Sequence, residues 1–221
     1  MKKLFIIGAM LLAGATATQA QSGFGIRGGA NMSNLSGDLD NEDNFENKWG
    51  FHGGITYNIG IVDNFFSIQP ELLYSQKGFK NADVTLTDPI TNNSYRRVGK
   101  VNYNYLDLPV MAKIKAGPLY FEAGPQASYL VGVNNETKTY INNVEETSSR
   151  DEKDKDGLKE FEFGYGAGVG FAFGNSLSLG VRYNGSLTDF VDEDVNFNGD
   201  VTNARHSTIM FTLGLTIPSA R

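Results

Sequence analysis

The chain contains no cysteine. That excludes a disulfide framework, a thiolate metal site and a thiol nucleophile. Histidine is nearly absent too, with only His52 and His206, and Trp49 is the single tryptophan. No His-rich zinc motif, Walker loop or dinucleotide fingerprint can be found. Past the first twenty residues, no apolar run approaches the ~20 residues a membrane helix requires. No stretch of useful length carries a helical period, and there is no long-period repeat or second domain. Basic residues are the minority, 19 Lys and Arg against 25 Asp and Glu for a net charge of −6. This balance argues against a nucleic-acid partner.

The opening "MKKLFIIGAMLLAGATATQA" has a basic start at Lys2 and Lys3, an apolar core from Leu4 to about Gly14, and small residues after it. It reads as a cleaved signal peptide over residues 1–20, with Thr18 and Ala20 at the −3 and −1 positions. The apolar run is too short to cross ~30 Å of hydrocarbon as an anchor. Gln21 follows the expected cut where a lipid-modified protein would need cysteine, so export without lipidation is expected. Residues 21–221 then form one domain.

What that domain has is glycine and alternation. In "FEFGYGAGVGFAFG" (161–174), Phe161, Phe163, Tyr165, Ala167, Val169, Phe171 and Phe173 take the odd positions, and glycine dominates the even ones. A period of two means an extended strand with two distinct faces. Seven other segments alternate in the same way, at 24–33, 49–61, 66–75, 105–114, 119–129, 177–187 and 208–217. Each has about the length of a tilted membrane-crossing strand. Short links fall at 62–64, 115–118 and 174–175, with turn residues of the Asp-Asn, Gly-Pro and Gly-Asn kind. Long connections fall at 34–48, 77–100, 132–159 and 189–204. Eight antiparallel strands with short turns at one end and long loops at the other predict an up-and-down barrel with both termini at the short-turn end.

The chemistry of the two faces chooses between a soluble, lipocalin-like binder and a membrane barrel. One face is aromatic and aliphatic. The other is glycine, serine, asparagine and an occasional charge, which suits the narrow lumen of an eight-stranded barrel and gives water nothing to solvate. The apolar face therefore points into lipid and the glycines point inward. The fold expected is all-β: an eight-stranded antiparallel up-and-down transmembrane β-barrel with short periplasmic turns and long extracellular loops. Pro70, Pro109 and Pro125 fall within strand patterns and each removes a ladder donor, so bulges or pairing breaks are expected there.

The segments "SIQPELLYSQKGF" (67–79), "YLDLPVMAKI" (105–114), "YFEAGPQASYLVG" (120–132), "FGYGAGVGF" (163–171) and "LGVRYNGSLTD" (179–189) resemble the PorT-type outer-membrane β-barrel family over essentially the whole mature chain. The resemblance implies a Gram-negative outer-membrane location. It also raises an alternative role as accessory subunit of an outer-membrane protein secretion machine, since the family's founding member is associated with such an apparatus. A departure is the ending "LTIPSAR", where many outer-membrane barrels finish on an aromatic.

Six charges face inward by alternation: Arg27, Glu71, Asp107, Lys113, Glu122 and Arg182. Counted from the short turns, Glu71, Asp107 and Arg182 fall near mid-depth, and Arg27, Lys113 and Glu122 lower. Charges in a narrow lumen need partners, so an ion-pair network that plugs the barrel is expected in preference to a proton or ion path. His52 and His206 also face inward near the outer mouth, which admits an acyltransferase reading. The lumen lacks the apolar tunnel that an acyl chain needs, so no enzyme activity and no cofactor are expected. "DVNFNGD" (194–200) matches the front of a calcium loop, but Arg205 stands at the twelfth position where a bidentate Glu belongs, and "EKDKDG" (152–157) is a weaker echo. Both read as turn chemistry, and no metal site is assigned. Segments 34–48 and 189–204 are acidic. Segment 77–100 is basic through Lys77, Lys80, Arg96, Arg97 and Lys100; these segments read as solvated outer loops or, in a functional reading, the basic one as a contact surface or a lid over its acidic neighbours. The expected partners are outer-membrane lipid and a surface or envelope protein, in a structural or surface-interaction role.

Overall fold

The computed structural model describes residues 22–37, 45–87, 94–142, 144–153, 158–174, 176–189 and 204–218. The expected signal peptide, the 194–200 motif and most of the two acidic segments lie outside them. Ten strands form one antiparallel sheet: β1 (Gly23–Gly37), β2 (Phe45–Glu46), β3 (Lys48–Val62), β4 (Phe66–Thr87), β5 (Ser94–Ala116), β6 (Leu119–Ile141), β7 (Val144–Lys153), β8 (Phe161–Phe173), β9 (Leu177–Ser186) and β10 (Ala204–Pro218). Eight close a ring in the order β1, β3, β4, β5, β6, β8, β9, β10, and β10 pairs back onto β1. Closure leaves no lipid-facing sheet edge in the ring, which matters because no water is available there to satisfy a free amide.

The faces are assigned as the alternation requires. In β8 the odd positions from Phe161 to Phe173 are exposed, and Glu162, Gly166 and Gly170 are buried. β1 buries Gly25, Arg27, Asn31 and Ser33 and exposes Phe24 and Ile26. Aromatic side chains meet on the outer surface at two levels. Phe24–Tyr57 and Phe171–Phe173 lie toward the short-turn end, and Trp49–Phe211 and Tyr129–Phe161 toward the other. Two such girdles around an aliphatic band are the signature of a barrel wall in a bilayer.

The short turns are as expected. Gly117 and Gly174 adopt positive φ (65° and 66°), as does Asn64 (55°), and Gly and Asn tolerate that conformation at small cost. Each of the three prolines coincides with a gap in the ladder. Pairing of β3 with β4 skips from Thr56–Glu71 to Ile59–Ile68 around Pro70. Pairing of β4 with β5 skips from Pro70–Val110 to Leu73–Asp107 around Pro109. Pairing of β5 with β6 skips from Pro109–Gln126 to Ala112–Ala123 around Pro125. Register is unchanged across all three, so these are pairing breaks and not bulges.

The long connections differ from expectation. Segments 77–100 and 132–159 are largely strand, because β4, β5 and β6 run for 22, 23 and 23 residues. That is about twice the ~9–11 residues a tilted spanning strand needs. Their outer halves, joined by β7 and edged by β2 on β4, stand beyond the barrel as a sheet of five strands. The sequence contains no turn cluster at the barrel rim in these strands, and main-chain pairing carries on until Thr87, Ile141 and Lys153. The basic segment is therefore ladder and not a lid: Lys100 pairs with Glu136 on β6 at 2.9 Å. Lys138 likewise bonds Glu145 of β7 at 3.1 Å, and that hydrogen bond raises the lysine above its ordinary pKa.

Candidate functional site

The buried polar groups are stacked along the lumen in layers. The central layer takes one charged residue from every second strand of the ring: Arg27 on β1, Glu71 on β4, Glu122 on β6 and Arg182 on β9. Arg182 donates from Nη1 to Glu71 Oε2 at 2.8 Å, from Nη2 to Glu71 Oε1 at 2.9 Å, and from Nε to Glu122 Oε1 at 2.7 Å. Arg27 bonds Glu71 through Nη1 and comes within 3.6 Å of Glu122 through Nη2. All four are buried. Small residues make this possible. A β-carbon on Gly166 would lie 3.3 Å from Arg182 Cδ and 2.8 Å from Asn184 Oδ1, and one on Gly168 would lie 3.1 Å from Arg182 Cα.

Below this layer Lys113 bonds Gln69 Oε1 at 3.3 Å and sits 4.0 Å over the Tyr120 ring. The Tyr120 ring in turn fills the space above Gly170 and Gly180. Above the central layer, His52 bonds Asn31 through Nδ1 (2.6 Å) and Thr212 through Nε2 (3.0 Å), and Asn31 reaches Ser75 at 3.1 Å. Asn184 donates to Gln126 at 3.0 Å on the opposite wall.

The next layer is a second charge cluster. Lys77 Nζ contacts Asp107 at 3.2 Å, Glu162 at 3.5 Å and Ser128 at 3.4 Å, and lies 4.5 Å over the Tyr105 ring. His206 Nδ1 meets the other Glu162 oxygen at 2.8 Å between the edges of Tyr103 and Tyr105. An apolar cap of Leu35, Phe79, Tyr103, Tyr105, Leu130, Val133 and Ala204 closes the outer end.

Five of the six charges read from the alternation thus come together: Arg27, Glu71, Glu122, Arg182 and, just below, Lys113. Asp107 does not join them. The depth order read from the short turns is corrected here: Arg27, Glu71, Glu122 and Arg182 share one level, and Asp107 lies above it with Lys77. Strands of a barrel are tilted and staggered, so equal counts from the turns are not equal depths. Lys77 falls in a segment expected to be loop, yet it continues the inward parity of Ser67, Gln69, Glu71, Leu73 and Ser75. Glu162, a further inward charge beyond the six expected, is buried on the inward face of β8. Lys48, also buried, continues the inward parity of β3. Val133 could not have been found by parity. β6 carries an extra residue at Val131, where Asn104 pairs with Gly132 and Tyr105 with Leu130, and this bulge turns the odd positions inward. Among the described residues, the bonds that hold the two histidines run from His52 to Asn31 and Thr212 and from His206 to Glu162. His52 is held by an amide and a threonine near mid-barrel, so its placement at the outer mouth is also corrected.

The family of the outer membrane protein beta-barrel domain matches residues 19–192. The chain belongs to this family. Among solved structures it is similar to Ail, the attachment invasion locus protein of Yersinia pestis, at 12% identity and a TM-score of 0.45, over 90% of this chain and 100% of that one. It is also similar to OprG of Pseudomonas aeruginosa at 13% identity and a TM-score of 0.33, over 90% and 96%. No curated protein matches it in sequence. A member of this family, with a closed eight-stranded ring and an outward apolar band, is an outer-membrane protein.

Proposed function

We propose that this protein is a barrel with a plugged lumen whose role is structural or one of surface interaction, without enzyme activity or cofactor. The observation that carries the reading is the continuity of the lumen filling. From Lys113 to the Leu35–Phe79 cap, each level is filled by buried side chains, with bonds across the lumen from Arg182 to Glu71 and from Lys77 to Glu162. A permeating ion would have to displace salt bridges that the low-dielectric interior makes hard to break. The surface role is supported by the sheet beyond the rim, built from the outer halves of β4, β5 and β6 with β7. Its cross-strand charge pairs make it an ordered platform for a surface or envelope protein. The expected test is conductance in planar bilayers, where the purified barrel adds no steady current. Stable unitary steps would overturn the plug.

The PorT-like strand motifs support a second reading, as an accessory of a protein secretion machine. Crosslinking in intact outer membranes followed by pull-down separates the two. Stoichiometric recovery of secretion components favours the accessory role, and a different or lone product favours the first.

A further inference from the structure

At the periplasmic end, beneath Lys113 and Tyr120, the lumen opens into a cavity of about 50 Å³, room for roughly three or four waters or one tetrahedral oxyanion. Its polar lining is Lys113, Lys115, Gln69, Asn58, four hydroxyl residues (Ser22, Ser176, Ser178 and Thr216) and Tyr120, and among the described residues no carboxylate lines it. That is unusual for a chain with six more acids than bases.

The charges above it do not balance either. Arg27, Arg182 and Lys113 are three cations against the two carboxylates of Glu71 and Glu122, and both carboxylates are already held by the arginines. Glu122 comes to Lys113 only at 3.9 Å. The buried ammonium of Lys113 is thus paired mainly with a neutral amide and an aromatic face. Lys115 adds a further cation at the mouth, where it also lines an adjoining hollow with Ser67. Ser67 Oγ is buried there with no hydrogen-bond partner, and such a group ordinarily has one. Backbone bonds hold the rim in shape, Lys115 to Phe65, Ala172 to Pro118 and Thr216 to Ser176.

We propose that this periplasmic vestibule is an oxyanion site that takes a phosphate group, with Lys113 and Lys115 supplying charge and the rim hydroxyls supplying directed donors. The phosphate comes either from free phosphate or from a phospholipid headgroup of the inner leaflet.

The test uses the full-length mature barrel refolded in a phosphorus-free detergent, with two probes, inorganic phosphate and dihexanoyl-phosphatidylglycerol, each followed by ³¹P line broadening at constant ionic strength. The expected result is saturable broadening that weakens at least tenfold in Lys115→Gln, a substitution at the mouth that leaves the central layer intact. Ser178→Ala should weaken it less. Saturation by inorganic phosphate assigns the free ion. Saturation by the lipid alone assigns the headgroup. The site is overturned if neither probe saturates, or if Lys115→Gln binds as tightly as the parent. Lys113→Gln is a supporting variant, and because Lys115→Gln carries the test, a folding failure at Lys113 does not blunt it.

Discussion

Arg182 and Glu71 form a two-pronged pair across the full width of the barrel, Nη1 to Oε2 and Nη2 to Oε1, at 2.8 and 2.9 Å. They stand on β9 and β4, four places apart in the ring of eight, so this pair ties opposite walls together. Removing one partner of such a buried pair leaves the other desolvated and uncompensated, at a cost of about 3–5 kcal/mol. Arg182→Met should therefore lower the urea midpoint of the folded, heat-modifiable form sharply. Arg182→Lys should recover little, since an ammonium cannot fork to Glu71 while also reaching Glu122. A lysine variant as stable as the parent would show that charge alone matters in this layer.

Lys77 tests the second cluster. As a loop residue it would tolerate replacement. Placed between Asp107 and Glu162, its loss as Lys77→Met leaves buried Asp107 without its cation and Glu162 with His206 alone, and a destabilisation of about 3–5 kcal/mol is expected. Lys80, on the outward parity of β4 directly after the buried Phe79, serves as the control. Equal tolerance at Lys77 and Lys80, by the same gel-shift denaturation curves, would return Lys77 to the surface.

The inward glycines set a limit on volume. A β-carbon at Gly180 would lie 2.5 Å from the Tyr120 hydroxyl oxygen, and its next contact is the same ring at 3.5 Å. Gly180→Ala should destabilise by roughly 1–3 kcal/mol, as overpacking does. Tyr120→Phe should relieve part of that cost, giving a favourable coupling in a double-mutant cycle. Additive losses would mean that the two residues do not share space. On the outward face, Val169→Leu is expected to be nearly silent. Val169→Arg should cost about 2–4 kcal/mol if the residue lies near the bilayer midplane.

Orientation can be read by labelling. Asn64 and Asn142 hold positive φ (55° and 51°), so cysteine is better placed beside them, at Asp63 and at Val144. Val144→Cys on the outer sheet should react with an impermeant maleimide on intact cells. Asp63→Cys in the short turn should stay unlabelled until the envelope is opened. Equal reaction at the two positions would invert or abolish the proposed topology.

The sequence by itself determined the eight strands of the ring, the face each residue takes up to the bulge at Val131, and the membrane as solvent. These follow from a period of two, and that period is local: Gly166 and Val169 declare their sides within a single strand. It also placed Arg27, Glu71, Glu122 and Arg182 in the lumen. Only the tertiary structure decided who meets whom. Depth in a barrel depends on tilt and stagger across all eight strands, so Asp107 parts from Arg182 and joins Lys77, a residue that parity alone would have turned inward. The outer sheet was equally hidden, because a polar segment such as 94–104 reads as loop until β4 and β6 supply partners for its amides. The bulge at Val131 is a relation between β5 and β6. No property of "YLVGV" taken alone says that Leu130 and Val133 will both join the buried cluster that holds Tyr103 and Tyr105.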